Sequence, residues 1–367
     1  MDLLHHRVTL TPTLMVLPTP VMKLEDKALR RCEDAMDEVY KFRAHPTTEA
    51  IDLDIWKPPT LPDDPFIWGR HLFIDGFAVV NFLTMYQKTG ELHYGQIAAK
   101  LAFVVCETLG DLTGATDDQP LGQGLRSGDT ARSPWRGTIW PHVMWAFALT
   151  RLGAVMGQPR FLKLAAHTIR SVHPRIEDGN HDVPVAQNES PYGVFKDGYI
   201  GAMGTSFLAL ASRILVKTAH SLGYVDPSFV WDVTLRLSLM RDDHQLIGLD
   251  DPQVASYALI LCQVDPESQA ETALTQKALE KLDDNVLRGQ RGPISLDTSI
   301  HDPCSIFALS LGLKCNKNSI WTALIADHLI KFWEERPALW KVGVSQSVAA
   351  LVMYAAAVAP GAFIINL

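Results

Sequence analysis

A repeated helical hairpin constrains this chain more than any other feature. Residues 77–86 read as an apolar helix, Thr89-Gly90 breaks it, and residues 93–109 read as a second helix. The arrangement returns with an apolar segment at 140–152, a break at Gly157 and an amphipathic segment at 160–172. The two second helices share a phase: Gly90, Tyr94, Ile97, Ala98 and Ala99 are answered by Gly157, Phe161, Leu164, Ala165 and Ala166. A glycine ends the first helix, an aromatic four residues on packs back over the turn, and paired alanines admit close helix contact.

Further first helices follow the same logic. Asp197-Gly198-Tyr199 opens 200–215 much as Asp75-Gly76-Phe77 opens the first one. Asp251-Pro252 opens 254–262, Asp302-Pro303 opens 305–313, and Ser345 opens 347–358. Amphipathic partners fall at 229–240, 271–282 and 321–333, and no strand alternation interrupts them. The expected fold is all-α, an (α/α)6 toroid of six helical hairpins with the apolar helices inside; an irregular helical solenoid is the alternative. Residues 1–64 supply an amphipathic helix at 24–42 and a Pro-rich crossing segment packed on the barrel. Residues 65–367 form the toroid, and the two parts are one folding unit.

Composition bounds the function. Apolar residues make up 47% of the 367 and charged residues 20%, enough for a sizeable core. With 33 Lys and Arg against 41 Asp and Glu, the net charge is −8, which argues against a nucleic-acid partner. No segment reaches the roughly 18–20 apolar residues that span a bilayer, since Pro360 and Gly361 interrupt the nearest, 348–365. Prolines 12, 18 and 20 break up the N-terminal apolar stretch, so it does not read as a signal peptide. Cys32, Cys106, Cys262, Cys304 and Cys315 form no CxxC pattern, which predicts neither structural zinc nor a disulfide framework. The expectation is a cytoplasmic protein acting on a small molecule, with a homodimer left open.

In such a toroid the starts of the inner helices converge on one mouth, where free backbone N–H groups add positive potential. Those positions hold Asp75, Trp140 with His142, Asp197, Asp250 with Asp251, and His301 with Asp302. A plainer reading stands beside this one. Asp before Pro is a standard helix start, and a histidine or tryptophan at a rim commonly packs loops onto helices.

The Asp-Gly-Phe and Thr-Gly-Glu-Leu-His-Tyr of 75–94 and the Asp-Gly-Tyr-Ile-Gly-Ala-Met-Gly of 197–204 resemble the six-hairpin glycosidase superfamily. That resemblance, over roughly residues 65–360, implies a proton-donating carboxyl and a second carboxylate acting on a saccharide. Asp75, Asp197, Asp251 and Asp302 are its candidates by helix-start position, with Asp75, Asp197 and Asp302 taken as catalytic. In size and helical character the chain is also similar to fungal humulene synthase-type terpene cyclases, which lack the usual cyclase signatures. That likeness implies Mg²⁺-dependent cyclisation of a prenyl diphosphate, and it heads the expectations. Asp250 and Asp251 are then the metal ligands, with Asp75 and Asp197 as further carboxylates, and Arg126, Lys196 or Arg241 meets the diphosphate. Trp140, His142, Trp145 and Tyr199 complete the substrate-binding set, their aromatic faces stabilising carbocations. Glu33-Asp34-Ala35-Met36-Asp37 is the nearest thing to an aspartate-rich cyclase signature, and it reads as a solvated face of the N-terminal helix. A non-catalytic helical scaffold is the third reading, because the repeat alone would suffice for it.

Overall fold

The computed structural model describes residues 27–43, 56–59, 69–110, 112, 115–116, 120–122, 124–128, 140–172, 198–224, 252–261, 263, 276, 303–315, 320–337 and 344–365. Among them the chain is all-α. Its helices are α1 (Lys27–Tyr40), α2 (Leu72–Thr89), α3 (Leu92–Leu109), α4 (Trp140–Met156), α5 (Pro159–Val172), α6 (Gly198–Ser221), α7 (Pro252–Leu261), α8 (Pro303–Cys315), α9 (Ile320–Glu334) and α10 (Val344–Val358). A 3-10 turn, η1 (Gly361–Phe363), follows α10. Of the expected partner helices, 229–240 lies outside the described residues, and of 271–282 only residue 276 is described.

The hairpin breaks fall where the glycines are. Gly90 and Gly157 have φ of 75° and 61°, the left-handed conformation that ends a helix at little cost when no Cβ is present. The aromatics that follow, Tyr94 and Phe161, are buried, as are the alanine pairs 98–99 and 165–166. Pro252 and Pro303 are each the first residue of their helix, where a missing N–H loses nothing. The first helix begins earlier than its apolar pattern suggests: His71 is the N-cap, its ring accepting from the Phe73 N–H, and Asp75 lies inside the first turn.

Every residue of α2 from Leu72 to Met85 is buried, and so is every residue of α4 from Trp140 to Gly153. Such helices have no face for water and must be surrounded. The contacts supply this: α2 packs on α4, α4 on α6, α6 on α7, α7 on α8, α8 on α10, and α10 back on α2. The partner helices take outer positions, with α3 on α2, α5 on α4 and α6, and α9 on α8 and α10. Helix α1 buries Cys32, Met36 and Tyr40 against α10 and α2.

Aromatic rings fill the space between the first helices. Trp140 of α4 lies 4.3 Å from Phe207 of α6 and 5.4 Å from Tyr257 of α7. Tyr257 lies 5.6 Å from Phe73 and 6.4 Å from Phe77, both of α2. Past the other end of these helices a strap of residues 359–365 crosses beneath them. Phe363 stands between Phe77 and Phe147, at centroid distances of 5.4 and 6.2 Å. Thr84 Oγ1 accepts from Ala362 N at 2.8 Å, Arg151 Nε donates to Ala362 O at 2.8 Å, and Gln263 Nε2 donates to Phe363 O at 3.0 Å. Gly361 allows this approach, because a Cβ there would collide with the Thr84 side chain.

Phe363→Ala removes the ring that joins α2, α4 and the strap. It is expected to lower unfolding free energy by about 3–5 kcal/mol, read by denaturant titration; a loss below about 1 kcal/mol would mean the strap is peripheral to the core.

Candidate functional site

The first residues of α2 and α4, together with the segment 120–128 laid over them, form the best-defined polar cluster among the described residues. Asp75 is fully buried and both its oxygens are engaged. Oδ1 accepts from Tyr40 Oη at 2.9 Å and from Arg70 Nη1 at 3.1 Å, and Oδ2 accepts from the His71 N–H at 3.1 Å. Burial raises the Asp75 pKa, opposed by the Arg70 guanidinium and the His71 N–H. Burial likewise drives the Tyr40 hydroxyl well above its ordinary range. Arg70 also donates to the Pro59 carbonyl and lies over the Tyr40 ring at 6.0 Å. In this arrangement Asp75 is a lock between α1 and α2. Three of its roughly four acceptor sites are taken by these bonds, and the residue is fully buried.

Three histidines hold the overlying segment. Leu72 N donates to Ser127 O at 3.0 Å, and His71 and Gly128 form an isolated bridge. His142 Nε2 pairs with Leu125 O at 2.9 Å, so the proton sits on that nitrogen. His167 Nδ1 accepts from Leu121 N at 3.2 Å and must therefore be unprotonated there. Burial holds His71 down at about 3, helped by nearby His142, and holds His167 at about 4, helped by Arg170.

The structure thus brings Asp75, Trp140, His142 and Arg126 to one end of the first helices, but in structural contacts. Arg126 donates from Nη2 to the Thr108 carbonyl at 2.8 Å and from its backbone to Leu109 O at 2.9 Å, tying its segment to the end of α3. Trp140 is 7% exposed and faces the aromatic interior. Trp145 is fully buried where α4 meets α2, away from any rim. Tyr199 lies in the first turn of α6, its side chain outside the described residues. Asp197, Asp302, Lys196, Arg241, Asp250 and Asp251 also lie outside them. The acids of α1 are tethered instead of simply solvated: Arg43 pairs with Glu33 at 2.9 Å and Asp34 at 2.6 Å, and Glu33 accepts from Tyr94 Oη at 2.5 Å.

Tyr40, Arg70, Phe73, Phe207 and Tyr257 were not singled out from sequence. Arg70-His71 one turn before Asp75, and Phe73 four residues before Phe77, were the available signals. Cys32, Cys106, Cys304 and Cys315 are in no disulfide among the described residues. No described helix is long and apolar enough to cross a membrane. No protein-family model, curated protein or solved structure matches the chain.

Asp75→Ala leaves Arg70 buried without its carboxylate, with an expected loss of about 3–5 kcal/mol in denaturant unfolding; a near-neutral effect would remove the lock. The depressed His167 pKa means the folded state favours neutral imidazole. Its stability contribution is full above the ordinary pKa of 6.5 and fades as pH falls toward about 4. His71, held lower still, behaves in the same way, so unfolding measured at pH 7 and pH 4.5 is expected to show a drop of about 4 kcal/mol shared between the two histidines, of which His167→Gln removes roughly half.

Proposed function

We propose that the first helices close into an (α/α)6 toroid. We infer that the chain is a small-molecule enzyme of the terpene-cyclase type, converting a prenyl diphosphate to a cyclic hydrocarbon. The succession of contacts from α2 through α10 and back to α2 supports the toroid. The observation that carries the chemistry is the cluster of aromatic rings packed between these helices, which this reading has part to admit the substrate. Phe73, Phe77, Trp140, Phe207 and Tyr257 come from four different first helices, with neighbouring centroids 4.3 to 6.4 Å apart.

Such a lining suits a hydrocarbon chain and lowers the energy of positive charge developing on it, since each ring presents electron density at its face. It offers a saccharide few hydrogen-bond partners, so the glycosidase-type reading has less support. Trp140 and Phe73, the first and second residues of their helices, stand nearest the helix starts, the end at which this reading brings substrate in. Phe77 continues the lining toward Phe363, which closes the far end. Asp75, locked to Arg70 and Tyr40, fixes the first turn of α2 and so the direction in which Phe73 and Phe77 project.

The described residues do not themselves fit Mg²⁺: no group of three or more His, Cys, Asp or Glu side chains converges among them. The metal part of this reading rests on Asp250 and Asp251, and its remaining carboxylates are Asp197 and Asp302.

Incubation with farnesyl diphosphate and Mg²⁺ is expected to release inorganic diphosphate and a cyclic C15 product seen by gas chromatography. Trp140→Leu is expected to lower kcat/KM by roughly tenfold or more through loss of cation stabilisation. Recovery of unchanged substrate with the wild-type protein would remove the cyclase reading.

A further inference from the structure

The fold holds a second buried guanidinium, and its surroundings differ from those of Arg70. Arg70 meets the Asp75 carboxylate at 3.1 Å. Arg151, one helical turn beyond Phe147 on α4, is 5% exposed and meets carbonyls alone. Its Nε donates to Ala362 O at 2.8 Å and its Nη2 to Ile364 O at 3.5 Å. Among the described residues no carboxylate pairs with it, and burial by itself brings its pKa down to about 10. It therefore stays charged at neutral pH.

Two carbonyl dipoles leave that charge uncancelled. A guanidinium has five N–H donors, and these contacts use two of them. A lone cation in a low-dielectric site is unfavourable by several kcal/mol unless an anion joins it. The remaining donors form the planar fork that matches a phosphate or carboxylate. Phe363 lies between the two residues whose carbonyls Arg151 bonds, and Ile364, on the Nη2 side, is partly exposed.

We propose that Arg151 is the binding point for a small oxyanion, a phosphate or carboxylate group, seated against the strap 359–365 at the finishing end of α4. The site goes beyond the cyclase reading. It lies about 16 Å along α4 from Trp140, and it needs no metal.

Thermal unfolding of the full-length protein, in chelator and at constant ionic strength set with chloride, tests it. Inorganic phosphate is titrated in one arm and acetate in the other. A saturable rise in Tm of several degrees is expected in one arm, and the responding arm identifies the oxyanion class. Arg151→Gln keeps donors for the strap carbonyls but lacks the charge, and is expected to lose most of that rise. Arg151→Lys keeps the charge without the fork and is expected to raise the half-saturating concentration roughly tenfold. No saturable rise in either arm, or an equal rise in Arg151→Gln, overturns the proposal. Should Arg151→Gln not fold, an unchanged half-saturating concentration in Arg151→Lys overturns it instead.

Discussion

Helices that are apolar on every side dictate the rest of this molecule. α2 and α4 have no stripe to leave in water, so each requires neighbours all round. Stacking first helices against one another supplies most of that cover, and amphipathic partners supply the remainder. Polar side chains caught inside must then find partners nearby. Thr84, Thr150, Thr168, Ser212 and Ser310 each bond the carbonyl one turn back in their own helix. Asn81 reaches across from α2 to the Val352 carbonyl of α10 at 3.0 Å.

Charge is correspondingly pushed to the two ends of these helices, and the ends differ. At the starts, Arg70, Asp75 and Tyr40 neutralise one another and join α1 to α2. At the finishes, Arg151 holds backbone carbonyls of the strap, and no acid among the described residues pairs with it. One end is electrically closed and the other is not, which is why the two buried arginines carry different meanings.

Much of the fold was legible because it rests on periodicity. The apolar runs, the glycine breaks at Gly90 and Gly157, and the proline starts at Pro252 and Pro303 are local signals that tertiary packing reinforces. The site was less legible. Asp75 looked like a mouth residue because the apolar run that it precedes begins at Phe77, which put it at the helix start. The helix starts one turn earlier at His71, and that shift turns the carboxylate inward to Arg70. Nothing local distinguishes Arg151 from a surface arginine, since its burial depends on the strap arriving from residues 359–365. Trp140 and Trp145 are both tryptophans of α4, but five positions of helix separate a ring facing the aromatic interior from one fully buried beside Cys106 of α3.

The ties that hold α2 and α4 come from far along the chain: Asn81 bonds a residue 271 positions away, Thr84 one 278 away and Arg151 one 211 away. Each hairpin has local contacts enough to form early, yet its interior amides, hydroxyls and guanidinium gain their partners only when distant segments dock. Loop-closure entropy opposes that docking until many such bonds form together. Assembly is therefore expected to end in one late, cooperative step, before which half-built intermediates expose the same greasy helices that the finished protein conceals, and invite aggregation.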